Sequence, residues 1–232
     1  PDIIKLYSLL DRMVKEGCSH VFMEVSSHAL DQNRIAGLNF SGAVFTNVTH
    51  DHLDYHKTFD SYIKAKKKFF DGLSKATFAL INSDDIHGQI MVQNCKAKIY
   101  TYALRGIADF KIKVLENNLH GLHLKYKHIE WFSRLVGVFN GYNLAAVLGV
   151  AILLGEDENQ VLQKMSDLKS VDGRFDWMRN ESDGRVGIVD YAHTPDAVEK
   201  ILSNIQELRK TNQKIITVIG CGGNRDRDNI EI

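Results

Sequence analysis

The densest run of chemistry-bearing side chains is Thr46-Asn47-Val48-Thr49-His50-Asp51-His52-Leu53-Asp54-Tyr55-His56, which sets three histidines and two aspartates within seven residues. It grows out of an apolar run, Ala43 to Val48, that reads as a strand buried on both faces. Glu24 lies near the end of the preceding apolar run, His20 to Val25, which reads the same way, and is followed by Ser26, Ser27 and His28. Ligands of parallel sheets gather beyond the carboxyl ends of the strands, so both loops are expected to open on one edge. Carboxylate, hydroxyl and imidazole groups converging there would suit a metal ion or a phosphate. The competing reading is a solvated turn whose side chains merely cap the loop.

Lys66 carries a second signal. Phe59, Tyr62, Ile63, Phe69, Phe70 and Leu73 form one stripe of a helical wheel, and Lys66 falls in the middle of it, whereas Lys64, Lys67 and Lys68 fall away from it. Burial favours the neutral amine of a lysine. A neutral amine can capture carbon dioxide as a carbamate, an anion able to bind Mg²⁺ through oxygen. The alternative is a lysine snorkelling past the edge of the core. Asn140 and Asn143 stand before a strongly apolar helix, where they could cap it or meet the edge of a base. Arg174 follows Gly173, and Asp190-Tyr191-Ala192-His193 ends an apolar run; a surface arginine and a plain turn are the bland readings of each. Gly220, Gly222 and Gly223 permit close approach of the backbone to an anion, a weak signal alone. Arg225-Asp226-Arg227-Asp228 reads by default as a solvated charged loop.

The elements that must position these residues read as an α/β fold. Helices are expected over 3–16, 59–70, 142–154 and 157–168, and strands over 20–25, 43–48, 76–82 and 98–103. That alternation implies a mostly parallel central sheet flanked by helices. Residues 109–137 alternate without an intervening helix and predict a small antiparallel subsheet. Gly155 is placed as a helix C-cap. A second alternation begins near Gly173: a strand over 186–190, a helix opened by Pro195, and a strand over 214–219 leading to the glycines. This is one βαβ unit of an incomplete Rossmann-like domain. The expected organisation is a domain over 1–172 and the start of another over 173–232.

Twenty-nine basic residues balance twenty-nine acidic ones, so nothing in the net charge points to nucleic acid or a membrane surface. The longest apolar stretch, around Leu144 to Leu154, is too short to span a bilayer. Cys18, Cys95 and Cys221 are far apart and form no CxxC pair. A reducing compartment, and neither a disulfide framework nor a thiolate zinc site, is therefore expected. No signal peptide is visible, and the chain opens at Pro1 without a Met start, so a processed or excised piece is the expectation.

Taken in order, these stretches resemble the Mur ligases, and among them the MurE type. The resemblance rests on Met23-Glu24-Val25-Ser26-Ser27-His28-Ala29-Leu30, Gln32 with Arg34, Thr46-Asn47, Asp51-His52-Leu53-Asp54-Tyr55-His56, and Tyr62 with Ala65-Lys66. It continues through Phe139-Asn140 with Asn143, Gly173-Arg174, the run Val189 to Ala197, and Gly220-Cys221-Gly222-Gly223-Asn224-Arg225-Asp226. The resemblance implies a cytoplasmic, monomeric, ATP-dependent ligase of peptidoglycan synthesis. It would join a diamino acid, meso-diaminopimelate or L-lysine, to a UDP-linked muramoyl dipeptide. It further implies that Glu24, His52 and carbamylated Lys66 hold Mg²⁺. Ser26, Gln32 and Arg34 would hold the UDP-linked substrate, with His28 close by. Asn140 and Asn143 would lie near adenine, Arg174 near the ATP phosphates, Asp190 and His193 near ribose or phosphates, and Asn224 and Arg225 towards the incoming amino acid.

The sequence also departs from the family pattern. It has no Gly-rich run ending in Gly-Lys-Thr, and Asp228-Asn229-Ile230-Glu231-Ile232 replaces the family's basic, proline-containing continuation. These 232 residues alone are therefore expected not to turn over. Two other classes stand beside the ligase. His50, His52 and Asp54 match the HxHxD opening of metallo-β-lactamase-like hydrolases, although Tyr55 stands where those enzymes place the next histidine. A non-catalytic binding module is the third reading.

Overall fold

The computed structural model describes residues 2–48, 56–209 and 212–220. Six strands line up in the order β1-β2-β3-β4-β5-β6, and β7 and β8 form a separate two-stranded sheet. The chain divides into two compact units, residues 1–81 with 85–100, and residues 82–84 with 101–232.

In the first unit α1 (Ile3–Lys15) starts where the Asp2 carboxylate accepts the Ile4 N–H at 2.8 Å. A short helix, α2 (Ser27–Asp31), is capped by Ser26. Strands β1 (Gly42–Phe45) and β2 (Phe78–Asn82) pair in parallel, Val44 opposite Leu80. Helix α3 (Phe59–Asp71) opens at Thr58, whose hydroxyl accepts the Ser61 N–H, and buries Tyr62, Ile63, Ala65 and Phe70. Tyr62, Ile63 and Phe70 join Ala43, Phe45, Ala79, Ile81 and, from α4 (Gly88–Val92), Met91 and Val92 in one apolar core. Each large side chain removed from water there contributes about 1.5–3 kcal/mol before entropy is counted. Helix α3 therefore has its facing angle set by its stripe, and Lys66 is held half-buried beside fully covered Ala65.

Strand β3 (Lys98–Ala103) begins in the first unit and ends in the second, which continues with β4 (Phe110–Asn118), β5 (Gly121–Tyr126) and β6 (Ile129–Ser133). The last three form an antiparallel meander. Its buried face carries Ile112, Leu122, Leu124 and Tyr126 at the two-residue period of a half-buried sheet. Helix α5 (Val138–Leu153) buries Leu144, Ala145 and Leu148, and Gly155 follows at φ +95°, the left-handed position that ends a helix and that glycine adopts without strain. Helix α6 (Glu158–Ser166) is capped by Asp157. Strands β7 (Asp176–Arg179) and β8 (Val186–Val189) form a hairpin, and α7 (Pro195–Leu208) starts at Thr194 with Pro195 in its first turn.

The junction between β3 and β4 has an unusual demand. The two strands pair in parallel, Tyr102 opposite Phe110, across a connection of only a few residues; parallel neighbours are ordinarily joined by a dozen or more. So tight a return leaves consecutive N–H groups without ladder partners. Asp84 supplies them: Oδ2 accepts from Leu104 N at 2.9 Å and Arg105 N at 2.8 Å, and Oδ1 from Gly106 N at 2.7 Å. Tyr142 of α5 donates its hydroxyl to the same Oδ2 at 3.0 Å. Partial burial pushes the Asp84 carboxyl up, but the three N–H groups and the hydroxyl together hold it below its ordinary value. Burial, with the Asp84 charge behind it, pushes the Tyr142 phenol up to about 12.

Several sequence expectations change. Residues 20–25 form no strand: no described residue pairs with them, and Phe22 is 74% exposed. An apolar run becomes a strand only where a neighbour takes its N–H and C=O groups. Strand β1 stops at Phe45 rather than Val48. Helix α5 begins at Val138, four residues early, so Asn140 and Asn143 lie inside its first turns and not before it. Strand β7 was not anticipated, and β8 pairs antiparallel with it. Residues 214–219 have no strand partner among the described residues, and Val218 is 94% exposed.

Asp84→Asn should lower unfolding free energy by about 1–3 kcal/mol at neutral pH, because the amide turns an N–H towards backbone donors. A carboxyl whose folded pKa is depressed stabilises above its unfolded value, about 3.9. The gap between wild type and variant should therefore close as pH falls through the lower folded value. Denaturant unfolding at pH 7 and in acid checks both.

Candidate functional site

In the first unit several candidate site side chains cluster where α2 meets the start of α3. Ser26 caps α2, its hydroxyl accepting the Ala29 N–H at 3.2 Å. Ser27, 1% exposed, lies 2.9 Å from Nε2 of His56, 8% exposed. The His56 ring sits 5.6 Å from that of His28 and 5.4 Å from that of Tyr62. One turn along α3, the Lys66 ammonium lies 5.2 Å from the Tyr62 ring centre. Ser26, His28 and Lys66 are thus brought to one place through Ser27, His56 and Tyr62. The Arg34 guanidinium donates to the Gln32 side-chain oxygen just beyond α2, so this pair presents one polar surface. Thr46 and Asn47 lead out of β1, where the Val48 N–H donates to Asp85 Oδ2 at 3.4 Å.

Glu24 is exposed on the segment leading to α2. No three His, Cys, Asp or Glu residues converge as a metal site among the described residues. His50, Asp51, His52 and Asp54 lie outside those residues, as do Gly222, Gly223, Asn224 and Arg225. The donor set expected for Mg²⁺, a Glu24 carboxylate and oxygens of a Lys66 carbamate, is of the hard type that Mg²⁺ requires; its third member, His52, is not described.

In the second unit Asn140 donates through Nδ2 to the Val136 carbonyl at 2.8 Å and accepts from Asn143 Nδ2 at 3.0 Å. Each amide keeps further hydrogen-bonding capacity, and Asn143 is exposed. The domain-boundary residues form a second group. The Arg174 guanidinium stacks 5.2 Å from the Tyr191 ring centre, and His193 Nδ1 lies 3.1 Å from the Tyr191 carbonyl. Asp190 accepts the Phe175 N–H through Oδ2 and the Ala192 N–H through Oδ1, each at 2.7 Å. Phe175 holds a left-handed φ of +49° and is 1% exposed, its ring 5.7 Å from that of Phe139. Such backbone costs a side-chain-bearing residue about 1–2 kcal/mol, which the Asp190 bond and the buried ring offset. The turn sends Phe175 inward and leaves Arg174 exposed over Tyr191.

Sequence reasoning named Ser27 and His56 within their motifs but gave neither a role of its own, and it missed the parts played by Asp84 and Phe175. Ser27 and His56 sit inside motifs whose neighbours drew attention. In the sequence Ser83-Asp84-Asp85 reads as a turn, and Phe175 carries no local signal for positive φ.

Residues 1–151 match the Mur ligase middle domain and residues 173–231 the Mur ligase glutamate ligase domain. The chain is 57% identical over 226 residues to a UDP-N-acetylmuramoyl-L-alanyl-D-glutamate–2,6-diaminopimelate ligase of Cytophaga hutchinsonii, covering 97% of this chain and 46% of that protein. It is 38% identical over 232 residues to the ligase of the same name from Aquifex aeolicus, covering 98% and 46%. A solved structure bearing that enzyme name superposes with a TM-score of 0.77 at 33% identity, over 98% of this chain and 47% of the other. The fold is shared with MurF ligase from Thermotoga maritima, at a TM-score of 0.63, 21% identity, and coverage of 78% and 42%. The chain spans about half the length of the curated relatives it matches. With both family domains matched in order along most of its length, the chain belongs to the Mur ligase family.

Proposed function

We propose that this chain is the middle of a MurE-type ligase, with a central ATP-binding domain over 1–172 and the start of the C-terminal domain over 173–232. The proposed reaction joins 2,6-diaminopimelate to UDP-N-acetylmuramoyl-L-alanyl-D-glutamate in the cytoplasm, with a monomeric enzyme and no nucleic-acid or membrane partner. The observation that carries this reading is 51–57% identity, over nearly the whole chain, to five proteins that bear that enzyme name. No helix among the described residues is long and apolar enough to cross a membrane.

In the proposed chemistry the D-glutamyl carboxylate attacks the γ-phosphorus of ATP, releasing ADP and forming an acyl phosphate. The diamino acid's amine then attacks the acyl carbon, and the tetrahedral intermediate expels phosphate. Ser26, Gln32 and Arg34 hold the UDP-linked substrate with His28 beside them; the joined Gln32–Arg34 pair suits a polar, anionic ligand. Asn140 and Asn143 offer amide groups to adenine, and the stacked Arg174 offers a fixed positive charge to phosphate. His193 lies near ribose or phosphate, and Asn224 and Arg225 receive the amino acid. Glu24, His52 and carbamylated Lys66 would hold Mg²⁺, which neutralises charge on the transferring phosphoryl group. Asp190 spends both carboxylate oxygens on backbone N–H groups, so its part is to fix the Arg174 turn as well as to border the nucleotide.

A coupled phosphate-release assay tests the reading. This chain extended to the length of its relatives should release phosphate only when UDP-linked dipeptide, diaminopimelate, ATP and Mg²⁺ are all present, and the 232 residues alone should release none. Phosphate release by the extended chain without the dipeptide, or zinc retained through purification, would favour a hydrolase. Lys66→Arg should lower turnover by roughly 10²–10³-fold, and a ¹³C-bicarbonate-derived carbamate resonance in wild type should be missing from the variant. Asp190→Ala should cost about 1–3 kcal/mol of stability with no nucleotide present, a change in denaturant unfolding that a pure ATP-contact role would not produce.

A further inference from the structure

The Ser27–His56 pair belongs to none of the binding or catalytic roles above, yet both its side chains are buried. Ser27 is 1% exposed and His56 8% exposed, with the hydroxyl 2.9 Å from Nε2 across 29 positions of sequence. A serine beside a histidine can be a nucleophile and its base, but this hydroxyl is closed off from solvent. Such a pair fixes geometry: truncating either side chain removes a hydrogen bond made where water cannot replace it.

We propose that His56 and Ser27 are positioning residues that lock α2 onto the start of α3 and thereby set the site for the UDP-linked substrate. Ser27 is the first residue of α2, directly after the capping Ser26 and before His28, and Gln32 and Arg34 follow the same helix. With only five residues, α2 has too few internal bonds to fix its own orientation. His56 lies two residues ahead of Thr58, which caps α3, and its ring stands against both His28 and Tyr62. The hydrogen bond therefore joins the substrate-side helix to the helix that carries Lys66. Loss of the bond lets α2 shift, and the groups expected to grip the dipeptide move with it, while the nucleotide-side residues Asn140, Asn143 and Arg174 stay in place. This role rests on the ligase reading.

The test is steady-state kinetics on the chain extended to the length of its relatives, comparing wild type with Ser27→Ala, His56→Ala and His56→Gln, each confirmed folded by circular dichroism at the assay temperature. The glutamine amide can take the place of Nε2. Ser27→Ala and His56→Ala should raise KM for the UDP-linked dipeptide roughly tenfold, the scale of one lost buried hydrogen bond. KM for ATP and kcat should stay within about threefold of wild type, and His56→Gln should recover most of the loss. Unchanged dipeptide KM in folded Ser27→Ala, equal rises for all substrates, or no recovery in His56→Gln would each overturn the positioning role. Wild type without ligase turnover would overturn the ligase reading and this role with it; active wild type with indifferent variants overturns this role alone.

Discussion

A polar atom taken out of water costs free energy unless another polar atom meets it, and both units use that constraint to fix segments that regular secondary structure cannot. In the first unit the Ser27 hydroxyl and the His56 imidazole satisfy each other between two helices. In the second, Asp84 gathers three backbone N–H groups and a phenol at the tight β3–β4 return, and Asp190 gathers two more at the Phe175 turn. The apolar core fixes the helices and strands to within their faces. These few polar contacts then decide where loops and helix starts stand, and those are the places that carry the site residues.

The two units contribute different chemistry for this reason. In the proposed reading the segment around α2 and helix α3 supply serine, histidine, glutamine, arginine and lysine groups for an anionic substrate and, were Lys66 carbamylated, for a hard cation. Helix α5 and the residues around Tyr191 carry a pair of amides and a stacked guanidinium, which the proposed reading assigns to a base and to phosphate. A ligase that activates a carboxylate with ATP needs both sets, because the reacting carboxylate and the γ-phosphoryl group must be held in line.

Much of this was legible in the sequence because it follows from period and end signals. The stripe from Phe59 to Leu73 located α3 and the place of Lys66; Pro195 and Gly155 marked helix ends; the alternation after Phe110 located the meander. What could not be read depends on contacts distant in sequence. His20 to Val25 has the composition of a strand, but composition does not supply a pairing partner. Asp84 reads as any turn aspartate until the 104–106 return is placed over it. Phe175 at positive φ is set by a buried ring contact and a carboxylate from a later strand end, neither of which is local. The pairing of Ser27 with His56 spans two motifs that each drew attention for other residues.

We propose that these residues serve an enzyme that activates a carboxylate by phosphorylation. The most direct test follows oxygen: the D-glutamyl carboxylate of the UDP-linked dipeptide is labelled with ¹⁸O and the phosphate produced during ligation by the extended chain is examined by mass spectrometry. An acyl phosphate requires one labelled oxygen to leave with the phosphate and the other to remain in the new amide. Phosphate carrying no label, formed while the amide accumulates, would contradict the account.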